Sequence, residues 1–242
     1  MNEVVEKFDR SVEGYEANCA PQEALAAELA RWVPYEERSG FAIEFGAGTG
    51  LFTRKMQPWC GPYLATDASA QMVATGIRLC PIVAWLQHDA QNAQSLGPAD
   101  WVFACNLLQW LDNPAEILSG WRDLLKPGGH LVIAVLLEGT FGELQQILPE
   151  ANPLTWRSAG AWSSLVTQAG FAIERAEIWQ HLEIYPSSLD FLRSVHAMGL
   201  APRHLVGPGR LRTALRKYDG QYAIAGGVRS TWRGWLARAA AD

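Results

Sequence analysis

Short apolar runs alternate along the chain with stretches whose apolar residues recur every three or four positions. The apolar runs predict strands at Phe41–Phe45, Tyr63–Thr66, Val83–Gln87, Trp101–Cys105 and Leu131–Leu137. The helical spacing predicts helices at Leu51–Met56, Ala70–Leu79 and Pro114–Leu125. Strands separated by helices form βαβ units, so the pattern predicts an α/β fold with a parallel sheet covered on both faces.

The chain departs from this alternation before the first strand. Apolar residues there recur at intervals of four, three and four, at Phe8, Val12, Tyr15 and Cys19. This spacing places them on one face of a helix. Gly14 weakens such a helix by about 1 kcal/mol relative to Ala, so we expect a mobile N-terminal element.

A second departure follows residue 186. The sequence predicts two short helices around a Pro/Gly hinge, inserted between strands at Ala172–Tyr185 and Val228–Ala237. Insertions at the carboxyl edge of such sheets commonly cover the ligand crevice. We expect one domain over residues 1–242, with lid helices (1–36), a cofactor-binding core (37–186), a helical substrate insertion (187–221) and a final strand (222–242).

Composition adds limits to this picture. With 49% hydrophobic residues the chain can bury a substantial core. No apolar stretch reaches the ~18 residues that span a bilayer, and the start, MNEVVEKFDR, has no secretion core. The four cysteines show no paired metal spacing. We therefore expect reduced thiols and a cytoplasmic protein.

The net charge of −5 is unevenly distributed. Residues 1–200 hold 12 Lys and Arg against 23 Asp and Glu, whereas residues 201–242 hold 8 against 2. The basic end is either an ordinary solvated surface or a docking face for an acidic partner. Nucleic acid is disfavoured as the partner because the rest of the chain would repel it.

The stretch FAIEFGAGTG, residues 41–50, joins a strand to a glycine turn. Gly46, Gly48 and Gly50 read G-x-G-x-G, and Leu51 stands where a dinucleotide-binding turn has its third glycine. Glu44 precedes the turn. A carboxylate repels a pyrophosphate but attracts an ammonium or sulfonium group. The turn therefore predicts a cofactor with a cationic end and no phosphates.

Two more acids follow the next strands. Asp67 stands where an acid can accept hydrogen bonds from ribose hydroxyls. Asp89 is placed to accept from an adenine amino group, with the Ala90 backbone N–H beside it and Met72 against the adenine face. The alternative for both acids is helix capping.

Residues 41–137 resemble the class I S-adenosylmethionine-dependent methyltransferases. The chain reads E-F-G-A-G-T-G where that family more often has D-x-G-C-G-T-G. The resemblance implies a Rossmann-like seven-stranded sheet with its last strand antiparallel, and S-adenosylmethionine across the carboxyl ends of the first strands. The implied cofactor-binding residues are Glu44, Gly46, Ala47, Gly48, Asp67, Ala68, Met72, Asp89, Ala90 and Asn106.

Four further stretches are similar, in order, to the malonyl-acyl carrier protein O-methyltransferases of biotin synthesis. They are FDRSVEGYEA, NLLQWLDNPAEIL, LLEGTFGELQQ and FLRSVHAMGL. The resemblance implies methylation of the free carboxylate of a malonyl thioester on acyl carrier protein or coenzyme A. Two features depart from the family: His196 replaces a usual Lys, and the segment between Gly199 and Tyr222 is shorter.

The implied chemistry needs no general base, because a carboxylate of pKa ~4 is already ionised at pH 7. Arg193 is the candidate that holds this carboxylate, and Tyr15 is the candidate lid residue. Asn106 and Trp110 are expected to border the methyl site. The alternatives are a surface role for Arg193, core packing for Tyr15 and Trp110, and a turn role for Asn106.

Because carrier proteins are acidic, we expect the basic end of the chain to dock the carrier protein. The candidate docking residues are Arg203, Arg210, Arg212, Arg216 and Lys217. Three alternatives stay open at this point. They are methylation of another small carboxylic acid or a quinone precursor, a cofactor-binding protein without turnover, and a nicotinamide oxidoreductase, which Leu51 disfavours.

Overall fold

The structure is a computed structural model that describes residues 2–149, 156–200 and 206–241. Its strands are β1 Ala42–Phe45, β2 Tyr63–Asp67, β3 Ala84–Gln87, β4 Ala99–Cys105, β5 Leu125–Leu136, β6 Phe171–Tyr185, β7 Ala223–Ile224 and β8 Gly227–Ala241. They form one sheet in the order β3-β2-β1-β4-β5-β8-β6, with the short β7 paired to β8. The strands from β1 to β5 are parallel, and β8 is antiparallel to both of its neighbours.

This sheet confirms the predicted α/β class and the antiparallel last strand, with β7 as a small addition. Most strand boundaries lie within two residues of the prediction. The main difference is at Pro127-Gly128-Gly129, which was predicted as a turn before the strand. Leu125 already pairs with Ala99, and pairing resumes at His130 with Trp101. The Pro-Gly-Gly stretch therefore bulges out of β5 instead of preceding it.

The helices are α1 Asn2–Asn18, α2 Ala20–Ala30, α3 Leu51–Lys55, α4 Ala70–Leu79, α5 Pro114–Leu124, α6 Gly142–Ile147, α7 Ala159–Gln168, α8 Ser188–Ala197 and α9 Pro208–Gln221. At the starts of three helices, a serine side chain accepts a hydrogen bond from a backbone N–H group. These serines are Ser69, Ser158 and Ser187.

Among the described helices, none is both long and apolar enough to cross a bilayer.

Apolar side chains fill the space on both faces of the sheet. On one face α5 and α7 bury Trp121 and Trp162, and Trp121 stacks on Phe45 with ring centroids 4.8 Å apart. On the other face α2, α3 and the helices of the insertion contribute to a second cluster, which includes Trp232. Because both faces are covered, the central strands are apolar without alternation.

The sheet topology brings the functional segments to one edge. β6 is antiparallel to β8, and β8 is antiparallel to β5, so β6 runs parallel to β5. The carboxyl ends of β1, β2, β4, β5 and β6 therefore lie at the same edge. The glycine turn, the segment after β4 and helix α8 all begin there, and α1 packs against both α4 and α8.

Gly14 lies where α1 crosses α8. A Cβ atom built at Gly14 would be 3.2 Å from the Cβ of Ala197, closer than an ordinary van der Waals contact. The glycine that weakens α1 on its own thus permits the two helices to approach.

Replacing Gly14 by Leu should push α1 away from α8. We expect several-fold faster amide hydrogen exchange over residues 2–18, with an unchanged urea midpoint for the sheet. The double variant Gly14→Leu/Ala197→Gly, which removes the opposing Cβ, should restore protection. Slower exchange in the single variant would mean that helix propensity, not packing, controls α1.

Candidate active site

A deep cavity lies at the carboxyl edge, beneath α1 and α2. It has about 910 Å³ of empty space, counting its open mouth. Its walls include nearly all of the site residues predicted from the sequence: Tyr15, Glu44, Gly46, Ala47, Gly48, Asp67, Ala68, Met72, Asp89, Ala90, Asn106 and Trp110.

The glycine turn after β1 forms the floor of this cavity. Gly46, Gly48 and Gly50 have φ values of 63°, 57° and 92°, a region that L side chains rarely adopt. A Cβ at Gly46 would be 2.7 Å from Leu107, whereas a Cβ at Gly48 would meet nothing within 4 Å. The backbone of Gly48 thus borders open space, where a ligand can approach it.

Glu44 is buried at the end of β1, with 1% of its surface exposed. The hydroxyls of Thr53 and Tyr63 both donate to its Oε2 atom, each at 2.7 Å. No described residue donates to Oε1. Burial raises the pKa of this carboxyl to about 7. A cationic group in the cavity would favour the ionised form and would supply the missing partner.

Asp67 and Asp89 both line the cavity. Asp67 accepts hydrogen bonds from the backbone N–H groups of Gly48 (2.9 Å) and Ser69 (2.8 Å). Burial raises its pKa to about 6 despite these donors. Asp89 accepts from the N–H of Gln91 at 2.9 Å and so caps the short helical turn that follows it. The capping alternative therefore holds for Asp89, which also borders the cavity, whereas Ser69 and not Asp67 caps α4.

Helix α1 covers the cavity through aromatic contacts. Phe8 meets the ring of Trp110 edge-on with centroids 5.2 Å apart, and it meets Tyr15 at 6.5 Å. Tyr15 is half-buried, and its pKa is raised chiefly by burial. Its hydroxyl therefore stays protonated and can serve as a neutral donor.

Polar contacts also tie α1 to the rim. The Ser69 hydroxyl donates to Asp9, and the Thr49 hydroxyl donates to Glu16. Glu16 also lies 3.4 Å from the guanidinium of Arg54. These contacts hold α1 over the cavity and leave its mouth open.

Asn106 follows β4 with φ at 62°, unusual for a residue other than glycine. Its Oδ1 atom is buried and has no hydrogen-bond partner. The Oε1 atoms of Gln109 and Gln22 are also buried without a hydrogen-bond partner. Gln22 and Asn106 line the cavity, so their amides are available to a ligand.

Gln22 was missed in the sequence, as was Cys105, which also lines the cavity. The signal that the sequence offered for Gln22 was that it is the single amide side chain in the alanine-rich helix APQEALAAELA. The structure shows that this side chain is buried. Cys105 gives no signal in the sequence. Its pKa is raised by burial, so the thiol is neutral.

Arg193 is the one predicted site residue that the structure does not bring to this cavity. Its side chain is 69% exposed and lies 3.3 Å from Asp190 on the same helix. It lines a neighbouring cavity instead. As a result, the described walls of the main cavity contain acids but no Lys or Arg. Nor do the described residues include a His, Cys, Asp and Glu cluster suited to a metal ion.

Comparisons with known proteins agree with this geometry. A family model described as a methyltransferase domain matches residues 17–176. The chain is 28% identical to a malonyl-[acyl-carrier protein] O-methyltransferase of Paenibacillus sp. (strain JDR-2), covering 95% of both chains. It is 29% identical to a trans-aconitate 2-methyltransferase of Azoarcus sp. (strain BH72), covering 56% of this chain and 54% of the other.

Solved structures share the fold. A putative methyltransferase from Bacillus halodurans C-125 is 15% identical with a TM-score of 0.67, covering 89% of this chain and 98% of that chain. An N-methyltransferase from Bradyrhizobium japonicum WM9, solved with S-adenosyl-L-homocysteine, is 12% identical with a TM-score of 0.62. It covers 98% of this chain and 97% of that chain.

The raised pKa of Glu44 predicts a pH-dependent stability. An ordinary glutamate has a pKa of 4.5, and burial raises this one to about 7. Between these values the folded chain binds more protons than the unfolded chain, so its stability falls as pH rises. Glu44→Gln does not titrate. The free energy of unfolding of this variant, measured by chemical denaturation relative to the wild type, should therefore rise between pH 4.5 and 7 by at most about 3 kcal/mol.

Glu36→Gln, at an exposed carboxyl, is the control for this experiment and should follow the wild type. A constant difference between Glu44→Gln and the wild type across the same pH range would show that Glu44 does not titrate in that window.

Proposed function

The chain belongs to the methyltransferase domain family, and from that premise we propose that it methylates the free carboxylate of a malonyl thioester. The methyl donor is S-adenosylmethionine, and the product is a methyl ester for an early step of biotin synthesis. Two relatives that are malonyl-[acyl-carrier protein] O-methyltransferases match 95% of this chain. The observation that carries the proposal is a cavity walled by acids, without a described cation, around a glycine turn.

The residues present fit this donor. S-adenosylmethionine, when bound, supplies a methyl group activated by a positively charged sulfur. The open Oε1 of Glu44 suits its ammonium end, and Asp67 suits its ribose hydroxyls. Asp89 and Met72 suit its adenine. The acids in the walls would repel the phosphates of a dinucleotide, which therefore fits less well.

The chain's own contribution to the reaction is orientation and exclusion of water. A substrate carboxylate oxygen forms a bond to the methyl carbon while the carbon–sulfur bond breaks, and no proton is transferred. We assign the carboxylate to the Tyr15 hydroxyl, which is neutral, and to the Asn106 amide. Phe8 and Trp110 close the cavity above them and keep water from the reacting atoms.

A carrier protein fits the charged surface of the insertion. Arg212, Arg216 and Lys217 are exposed on α9, beside a chain that is otherwise acidic. Arg210 is exposed on the same helix, while Arg203 lies outside the described residues. An acidic carrier would be drawn to this face, which would speed encounter more than it would tighten the complex.

A second candidate is methylation of another small carboxylic acid. The partial match to a trans-aconitate 2-methyltransferase, which is 29% identical over 56% of this chain, favours it. That reaction would need neither α9 nor a thioester arm. Substrates attached to a carrier protein therefore distinguish the two candidate functions.

Mass spectrometry of malonyl-carrier protein tests the proposal directly. After incubation with the chain and S-adenosylmethionine, we expect a mass gain of one methyl group. Acetyl-carrier protein, which has no free carboxylate, is the matched control and should stay unmodified. Methylation of trans-aconitate with no gain on the malonyl carrier would favour the second candidate.

The basic face predicts a carrier-specific defect. Changing Arg212 and Arg216 together to Glu should raise the apparent KM for malonyl-carrier protein about tenfold, since the encounter loses its attraction. The rate with malonyl-coenzyme A, which needs no protein docking, should stay the same. Equal losses on both substrates would rule out this face as the docking surface.

A further inference from the structure

A second cavity lies beside the first at the same sheet edge. It has about 830 Å³ of empty space, counting its open mouth. Its walls are the junction of α1 and α2, the carboxyl end of β6 and helix α8. Arg193 lines this cavity and not the one that contains Glu44 and the other acids.

The two cavities share a wall. Tyr15 and Gln22 face the main cavity, whereas the residues between them, Ala17, Asn18, Ala20 and Pro21, line the second one. A single stretch of chain thus separates the chambers. Gln22 stands at the main-cavity end of this stretch: its amide nitrogen lies 2.9 Å from the sulfur of Met198, and its amide oxygen is unpartnered.

The second cavity offers mixed polar groups. Asn18 and Ser194 can donate or accept. Glu183 is paired with His181 at 2.7 Å, and Asp190 accepts from the Ser187 hydroxyl at 2.6 Å and pairs with Arg193. Each of these acids has a partner within the chain, and its oxygens can still accept a further N–H group. Such a lining suits an extended ligand with amide groups along its length and an anionic group at its solvent-exposed end.

We propose that this second cavity binds the phosphopantetheine arm of the thioester substrate, with Arg193 contacting the phosphate. The arm's amides lie against Asn18, Ser194 and Asp190, and its thioester end passes the Gln22 wall into the main cavity. The inference rests on the proposed function, and it moves Arg193 from the carboxylate to the opposite end of the substrate. Arg193 is well placed for a phosphate because its side chain is mostly exposed at the rim.

Three malonyl thioesters separate the possible roles of Arg193. Malonyl-carrier protein and malonyl-coenzyme A both carry the full arm with phosphate, whereas malonyl-N-acetylcysteamine keeps only its thioester end. For Arg193→Gln we expect kcat/KM to fall about tenfold with the first two and less than twofold with the third. The matched control is Arg31→Gln, since Arg31 is also exposed and also pairs with an acid three residues earlier, at 3.4 Å.

A second variant tests the cavity itself. Ala20 is exposed in the cavity wall at the start of α2, and Trp at this position would fill the space without disturbing the core. Ala20→Trp should also lower kcat/KM for both long substrates and spare the short one. Ala161→Trp, at an exposed alanine in the first turn of α7, should leave all three unchanged.

Each outcome decides the inference. Equal losses of Arg193→Gln on all three thioesters would overturn it, because Arg193 would then act on the malonyl end. No loss on any thioester, or a loss confined to the carrier protein, would also overturn it. If the wild type methylates none of the three, the proposed function itself fails. That result is distinct from a failure of the arm site alone.

Discussion

The buried carboxyl of Glu44 is the constraint around which the cavity is arranged. Two hydroxyls, one from α3 and one from β2, hold its Oε2 atom, and the Thr66 hydroxyl donates to its backbone carbonyl at 2.9 Å. A carboxyl in this position costs free energy when ionised. The adjoining turn leaves open space at Gly48, where a compensating positive charge can be accommodated.

The same electrostatics bear on how the proposed anionic substrate would enter an acidic cavity. No Lys or Arg is among the described residues of the walls, so in the proposed reaction the positive charge arrives with the donor, as an ammonium that Glu44 would hold and a sulfonium that reacts. The sulfonium would attract the substrate carboxylate to the reacting centre. Neutral donors, such as Tyr15 and Asn106, would then suffice to set the orientation of the oxygen.

Much of this arrangement could be predicted from local sequence. The strands followed from apolar runs, and the glycine spacing with Glu44 and Asp67 identified the cavity floor, since these features depend on neighbouring residues. The position of Arg193 could not be predicted in this way. It depends on how α1 crosses α8 at Gly14, a contact between residues far apart in the chain. Gln22 was missed for the same reason, because its burial comes from packing against Met198 of a distant segment.

The stretch of chain between Tyr15 and Gln22 gives the two cavities a common boundary. Helix α1 covers the cavity that would hold the donor, and its carboxyl end also borders the second cavity. An arm bound in the second cavity, as proposed, would contact the helix that covers the donor. Release of the arm would then loosen this cover, which would couple departure of the ester product to departure of the spent donor.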